Sequence, residues 1–305
     1  MAQNTLIRPY GEAAIAEAAD LIRDGQPVAV PTETVYGLAA DATNGEAVAR
    51  IYEAKGRPSF NPLIVHVPDL AAAEAIGVFD DTARQLAEEH WPGPLTLVVP
   101  HRPDSPIASL VTAGLPTIAL RVPAHRAMRA LLAATGKPLA APSANASGQL
   151  SPTRASHVMR TLDGRIAMIV DDGACAHGLE STIIGVTGGT MRLLRPGPVE
   201  IAAAILASGD LIEAPGQLAS HYAPDKALRL DAVSAAGDEW LIGFGEVAGR
   251  STLSARGDLV EAAAALFDRL HEADRSNAAR IAVAPVPATG LGFAIRDRLN
   301  RAALR

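Results

Sequence analysis

The stretch PTETVYGLAADATNGEAVARIYEAKGRPSFNPLIVHV, Pro31 to Val67, decides the fold class. The apolar run Val28 to Val30 before it reads as a short buried strand halted at Pro31, so Thr32, Glu33 and Thr34 stand where a strand end opens into a loop. Ligands bind at such strand ends in α/β sheets. Asn44 is suited to cap a helix with Glu46 in its first turn, Val48, Ile51 and Tyr52 fall on one apolar stripe, and Gly56 ends the helix. Lys55 and Arg57 therefore emerge at a helix exit and a Pro58 turn, two cations on a constrained backbone that suit a polyanion. Leu63 to Val67 alternates, with Leu63, Val65 and Val67 on one face and Ile64 and His66 on the other, an orientation that lets His66 look back into the same site.

Working outward, Glu12 to Arg23 is predicted as the first helix, and Asp69 and Asp81 as caps of two short ones. Trp91-Pro-Gly-Pro turns the chain into a strand at Leu95 to Val99. In Thr117 to Val122, Ile118, Leu120 and Val122 face the core while Thr117 and Arg121 share the other face, so Arg121 is either a cation at the end of a notch or a solvated residue on an edge. Leu139 to Ala141 runs into Pro142 and a loop, Ser143 to Gly148, whose N–H groups and short side chains suit phosphate oxygens, although serine-rich turns are also common without function. Ser151-Pro152-Thr153 is expected to start a helix through Met159. Ile166 to Val170 ends in Asp171-Asp172-Gly173, read as a turn rather than a Mg²⁺ site. Glu180 to Ile184 and Met191 to Arg195 flank Gly188-Gly189 as a hairpin, in which residue parity sends only one of Arg192 and Arg195 into any cleft; Arg195, beside Pro196-Gly197, is the choice.

The periodicity dissolves from about Leu211 to Ala227, where His221 and Tyr222 either pack a linker down or form a strap over the cleft. Beyond it, Glu239 to Phe244, Leu259 to Leu270, Ile281 to Val286 and Phe293 to Ala303 alternate strand and helix. The expected organisation is a catalytic domain over 1–212, a linker over 213–227 and a small three-layer α/β domain over 228–305. The glycines of Gly243 to Gly249 fail as a dinucleotide fingerprint, because Ser251 to Leu253 is β-prone where the helix should begin.

Composition narrows the function. A hydrophobic share of 49% supports a real core, and the net charge of −6 gives no broad attraction to nucleic acid or anionic membrane. With 4% aromatic residues, the chain is short of stacking platforms for single strands. The lone Cys175 leaves no cysteine set for zinc and reads as a small buried residue. No segment reads as a secretory signal or a membrane span, so the cytoplasm is the expected location. Walker, kinase and HExxH patterns are absent. What the first domain holds is cations (Lys55, Arg57, Arg121, Arg195), hydroxyls (Thr32, Thr34, Thr117, Ser143, Ser181) and His66. Phosphoanhydride chemistry needs little covalent help beyond alignment and charge neutralisation, which this set can supply.

PTETVYGL, KGRP with NPLIVHV, WPGPLTLV, TIALRVP, APSANASG with SPT, GLESTII and LRPG, in this order, resemble the motifs of the YrdC-like threonylcarbamoyl-AMP synthases over about Ile7 to Ile212. HYAP and GLGFAIRDRLNRAA are similar to that family's long, two-domain form. The resemblance implies a twisted open mixed sheet with helices, and a reaction in which L-threonine, bicarbonate or CO₂, and ATP with Mg²⁺ give threonylcarbamoyl-AMP and pyrophosphate. The product would pass to a separate tRNA-modifying transferase complex, without membrane attachment or stable tRNA binding by this chain. Residue by residue, the resemblance implies a threonine site of Thr34, His66, Arg121, Ala141 and Ser181. It implies a nucleotide site of Lys55, Arg57, Asn61, Thr117, Ser143, Asn145, Ser151, Arg195 and Tyr222, with Lys55 and Arg57 also stabilising the departing pyrophosphate. Gln217 to Ser220 stand where many long-form members carry basic residues. A non-catalytic double-stranded RNA-binding module is the alternative from another class; carbamoyl adenylation in metal-centre maturation is the enzymatic one.

Overall fold

The structure, a computed structural model, describes residues 4–202, 204–206, 213–216 and 221–304. In chain order its elements are β1 (Leu6–Pro9), α1 (Glu12–Arg23), β2 (Val28–Pro31), β3 (Tyr36–Asp41), α2 (Gly45–Lys55), β4 (Ile64–His66), α3 (Leu70–Glu74), α4 (Asp81–His90), β5 (Leu95–Pro100), α5 (Ser109–Thr112), β6 (Thr117–Arg121), α6 (Arg126–Thr135), β7 (Leu139–Ala140), α7 (Ala155–Leu162) and β8 (Met168–Asp171). They continue as β9 (Thr182–Thr187), β10 (Thr190–Arg195), β11 (Ile205–Leu206), β12 (Ala227–Arg229), β13 (Glu239–Gly243), β14 (Ser251–Thr252), α8 (Leu259–Arg275), β15 (Arg280–Val283) and α9 (Leu291–Ala303).

The stretch Pro31 to Val67 folds as its residues suggest. Asn44 Oδ1 accepts from the N–H groups of Glu46 and Ala47, and Gly56 closes α2 in the left-handed region, where a glycine carries no side-chain penalty. Strand β3 was not signalled by alternation, because Tyr36 to Ala40 is buried on both faces. Thr32 makes the turn between β2 and β3: its Oγ1 accepts from the N–H of Thr34 and donates to Val35 O at 2.7 Å. Two expected helix starts move. Asp80, not Asp81, caps α4 through the N–H of Ala83, and α7 begins only at Ala155, because the Ser151 hydroxyl is spent on Glu180 instead of capping.

The first eleven strands form one mixed sheet in the order β1-β8-β2-β3-β7-β4-β6-β5-β9-β10-β11. One face carries the largest core, which includes α2 residues with Leu63, Val65, Leu120 and Ile184. The other face is unevenly covered. Helices α1 and α6 pack over the half that contains Val30, Leu139 and Met168. Leu139 pairs with His66, and the sheet continues on that same face through Ile64, Ala119, Val98 and Ile183 to Leu194 and Ala214, without a helix in that cluster. The site lies over this half.

Residues from 227 onward form an all-parallel sheet, β12-β15-β13-β14. Helices α8 and α9 share one core with Ile242, Ile281 and Val283, so both lie on the same face. Ala232 and Val247 from loops, rather than a third helical layer, cover Leu241 and Ala282 on the other. That unit docks on the first. Leu150, Leu179 and Tyr222 belong to its core, and a side chain at Gly178 would come within 2.5 Å of the carbonyls of Ala263 and Ala264, a backbone approach only glycine permits. His157 and His271 stack with centroids 3.9 Å apart, flanked by the pairs Arg154–Asp268 and Arg160–Asp274. The expected domain end at Ile212 and the linker residues Gln217 to Ser220 lie outside the described residues.

Candidate active site

Over the uncovered half of the sheet lies a partly open cleft. Its floor is Thr34, Ile64, His66, Arg121 and Ser181; its sides are Arg57, Ala141 to Ser143, Glu180 and Arg195; Pro215, Gly216, His221 and Tyr222 from the linker line it too. A side chain on Gly216, which sits at φ +87°, would come 2.6 Å from the Tyr222 hydroxyl oxygen and 3.0 Å from Arg195. The described linker residues are therefore a wall of the cleft as well as packing, with Tyr222 set against Phe267.

At one end, β4 and β6 place His66 opposite Arg121. Arg121 is only 3% exposed. Its Nη2 meets Glu33 Oε1 at 2.5 Å, Nη1 donates to Thr34 Oγ1 at 3.0 Å and Nε to Gly93 O. Thr34 in turn lies 2.8 Å from Thr32 Oγ1, whose proton is on Val35 O, so three hydroxyl and guanidinium groups run in one direction. Of five guanidinium N–H groups two are left to receive a ligand carboxylate. The other Glu33 oxygen accepts from the N–H groups of Ala124 and His125. Burial works against the Glu33 carboxylate, but Arg121 and these N–H groups win and hold it down at about 2. Burial, then Arg121, pushes His66 down to about 3, so the imidazole is neutral near pH 7; its Nδ1 has no hydrogen-bond partner among the described residues.

At the other end, cations meet carbonyls instead of carboxylates. Arg195, 5% exposed, donates to Ser181 O from Nε and Nη2, to Ser181 Oγ at 3.1 Å and to Pro215 O. Arg57 donates to Asn61 O and Pro62 O. Lys55, 2% exposed, stands behind the Ser143 loop and donates to Ser143 O at 2.6 Å and to Asn145 O. Burial drives Lys55 well below the usual ammonium range, with Arg57 adding to it, and lowers Arg57 to about 10 and Arg195 in the same direction. Such shifts mark positive charge that its surroundings leave uncompensated.

Of the residues the sequence singled out, Thr34, Arg57, His66, Arg121, Ala141, Ser143, Ser181, Arg195 and Tyr222 share the cleft wall. Lys55, Asn61, Asn145 and Ser151 stand one layer back, and Thr117 lies at the far end of the Arg121 strand. Asn145 braces its own loop through Ala146 O and Gln149 O, while the Asn61 amide is buried without a partner among the described residues. Residue parity alone would send only one of the two hairpin arginines to the cleft face, but the hairpin is not regular. A bulge between Leu193 and Arg195 sets Arg192 opposite Gly185 and Arg195 opposite Ile183, two residues apart on β9, so both arginines lie on the cleft face. Arg192 is drawn aside by a two-pronged pair with Glu213 at 2.6 Å. Glu33 and Glu180 were present in the quoted motifs, but nothing local marked them as partners of distant arginines. Cys175 is buried and its thiol is pushed up by burial, as a packing residue would be. Asp171 and Asp172 cap Gly173 and hold Arg126, as a turn does. Among the described residues, no three His, Cys, Asp or Glu side chains gather to hold a metal ion.

Residues 20–197 match the Sua5/YciO/YrdC family model, described as "Telomere recombination", and residues 196–304 match "Threonylcarbamoyl-AMP synthase, C-terminal domain". The chain is 40% identical to a threonylcarbamoyl-AMP synthase of Bacillus subtilis, over 95% of this chain and 92% of that one. It is 39% identical to one of Pyrococcus abyssi, over 93% and 92%. The crystal structure of P. abyssi Sua5 complexed with L-threonine superposes with a TM-score of 0.89 at 36% identity, covering 98% of both chains.

Proposed function

The chain belongs to the threonylcarbamoyl-AMP synthase family, and on that premise we propose how its cleft divides the substrates of that reaction. The enzyme forms threonylcarbamoyl-AMP, a nucleotidyl transfer. The observation that carries the division is electrostatic: one end pairs its arginine with a carboxylate, the other gathers cations that donate to carbonyls and have no ion pair among the described residues. A zwitterionic amino acid suits the first and a triphosphate the second.

In this reading the threonine carboxylate takes the two spare N–H groups of Arg121, with Thr34, His66, Ala141 and Ser181 enclosing the rest. Arg57, Ser143 and Arg195 face the ATP phosphates, Asn61, Asn145, Ser151 and Thr117 support the nucleotide end, and Tyr222 closes over it. Lys55 keeps the Ser143 loop in place and adds positive charge behind it. The threonine amine takes up CO₂, derived from bicarbonate, and loses a proton to form a carbamate. A carbamate oxygen then attacks the α-phosphorus, and the bond to pyrophosphate breaks as Lys55 and Arg57, joined by Arg195, take up its charge. Ser181, assigned here to the threonine end, also touches the other, since its Oγ accepts from Arg195. Mg²⁺ enters as part of MgATP, where it supplies charge neutralisation on the phosphates. A resident ion fits poorly, because the groups around the phosphates are cations and hydroxyls.

In this reading the product passes to a separate enzyme that modifies tRNA and the reaction runs in the cytoplasm; no described helix is long and apolar enough to cross a membrane. The double-stranded RNA reading fails on placement, since Lys55, Arg121 and Arg195 are buried around a cleft rather than spread over a surface. Carbamoyl adenylation for a metal centre is disfavoured by the family match of residues 196–304. The test is pyrophosphate release from ATP with and without L-threonine and bicarbonate. Release that needs all three supports the proposal, and release indifferent to threonine contradicts it.

A further inference from the structure

The cleft wall contains one carboxylate, Glu180, among its described lining residues. A carboxylate beside a polyanion site is a liability unless something holds its charge. What holds it comes from the small domain. Arg298 on α9 is 0% exposed and heads the largest fully buried side chains of the protein. Its Nε meets Glu180 Oε2 at 2.8 Å, its Nη2 donates to Pro196 O at 2.9 Å, contacts 118 and 102 residues away in the chain, and its Nη1 donates to Asp297 Oδ2 at 2.8 Å, a carboxylate that Arg301 also holds. Its guanidinium carbon also lies 5.3 Å from the centre of the Tyr222 ring. The second Glu180 oxygen accepts from the Ser151 hydroxyl. Glu180 immediately precedes Ser181, which receives Arg195, and Pro196 immediately follows Arg195. A fully buried guanidinium is costly to desolvate, and a purely structural docking contact could have been apolar, like its neighbours Leu179 and Phe267.

We propose that Arg298 is a positioning residue for the reaction: by taking the charge of Glu180 it keeps that carboxylate off Arg195, so that Arg195 remains free to meet the nucleotide phosphates. The small domain thus completes the catalytic cleft electrostatically as well as bracing it. This rests on the assignment of Arg195 to ATP made above. Without Arg298, Glu180 has a second guanidinium next to it, and an internal Glu180–Arg195 pair replaces part of the attraction for ATP while presenting negative charge to its phosphates.

The experiment compares steady-state pyrophosphate release of the full-length wild type, R298M, R298M/E180Q, R298K and R195K, each checked for folding by circular dichroism. R298M is expected to raise the KM for ATP roughly tenfold while the KM for L-threonine stays within about twofold, a split that general loosening of the fold would not produce. The double variant removes the stranded carboxylate and is expected to recover most of the ATP affinity. R298K keeps the charge but loses the fork to Pro196 O, so an ATP KM between those of wild type and R298M is expected; if R298M does not fold, R298K alone carries the test. An unchanged ATP KM, a parallel rise in both KM values, or no recovery in the double variant overturns the proposal. R195K separates the two levels. If its ATP KM is unchanged, the underlying assignment falls and takes this proposal with it; if its ATP KM rises while that of R298M does not, only the role of Arg298 falls.

Discussion

Arg121 and Arg195 face the same cleft and are almost equally buried, yet their surroundings treat them in opposite ways. Arg121 is neutralised at 2.5 Å by Glu33, itself fixed by two backbone N–H groups. Arg195 donates to oxygens of Ser181 and Pro215 and makes no ion pair among the described residues, while the neighbouring carboxylate, Glu180, is held by Arg298 and Ser151. The first arrangement is stable when empty and presents directed N–H groups. The second leaves the empty protein with a desolvated cation whose compensation arrives with the ligand. Binding selectivity is therefore written in where the carboxylates are, more than in where the arginines are.

The comparison can be broken at its strongest point by removing the uncompensated cations. Arg57→Met and Lys55→Met are expected to lower kcat/KM for ATP by roughly 10²–10³-fold, read by pyrophosphate release. The opposite end responds in stability. Glu33→Gln strands the buried Arg121 and is expected to cost about 3 kcal/mol in a denaturant titration. A wild-type-like midpoint would dissolve the contrast.

Acid titration sharpens it. Glu33 is held at about 2, below the usual 4.5, so its stabilisation is complete above pH 4.5 and is lost as pH falls from there towards 2. The stacked histidines between the two units act earlier. Burial, the first cause for each, holds His157 near 3 and His271 near 4 against an ordinary 6.5. Their neutral forms are the folded ones, so stability is full above pH 6.5 and declines as pH falls below it. The slope is at most about 1.4 kcal/mol per pH unit for each ring. Thermal midpoints recorded from pH 7 to 4 should decline less steeply in His157→Gln than in wild type, and an unchanged slope would remove the pair from the account. The smallest effect belongs to Arg192. Its pair with Glu213 is partly exposed, so Arg192→Gln should cost less than about 1 kcal/mol and leave the ATP KM in place.

How far the sequence carried the reading depends on the range of the interaction. Alternation in Leu63 to Val67 and Thr117 to Val122 put His66 and Arg121 on the cleft face, because period two is a local property of strands. Asn44 and Gly56 marked both ends of α2 for the same reason. The bulge after Leu193 defeated the parity argument, since a single extra residue leaves no trace in composition. The carbonyl partners of Lys55 lie 88 and 90 residues on, and Arg298 is 118 residues from Glu180; neither follows from any local pattern. Motif order supplied the substrates where residue chemistry alone stopped at a phosphorylated ligand.

The most direct measurement is the thermal stability of Arg195→Met beside wild type, each with and without MgATP. With ATP absent, the variant should unfold within about 1 kcal/mol of wild type, because the lost carbonyl contacts are offset by relief of a buried charge; the stabilisation that MgATP gives wild type should be largely gone. If the ligand-free variant is instead destabilised by several kcal/mol while its response to MgATP is intact, Arg195 is a structural cation and the account of the cleft is wrong.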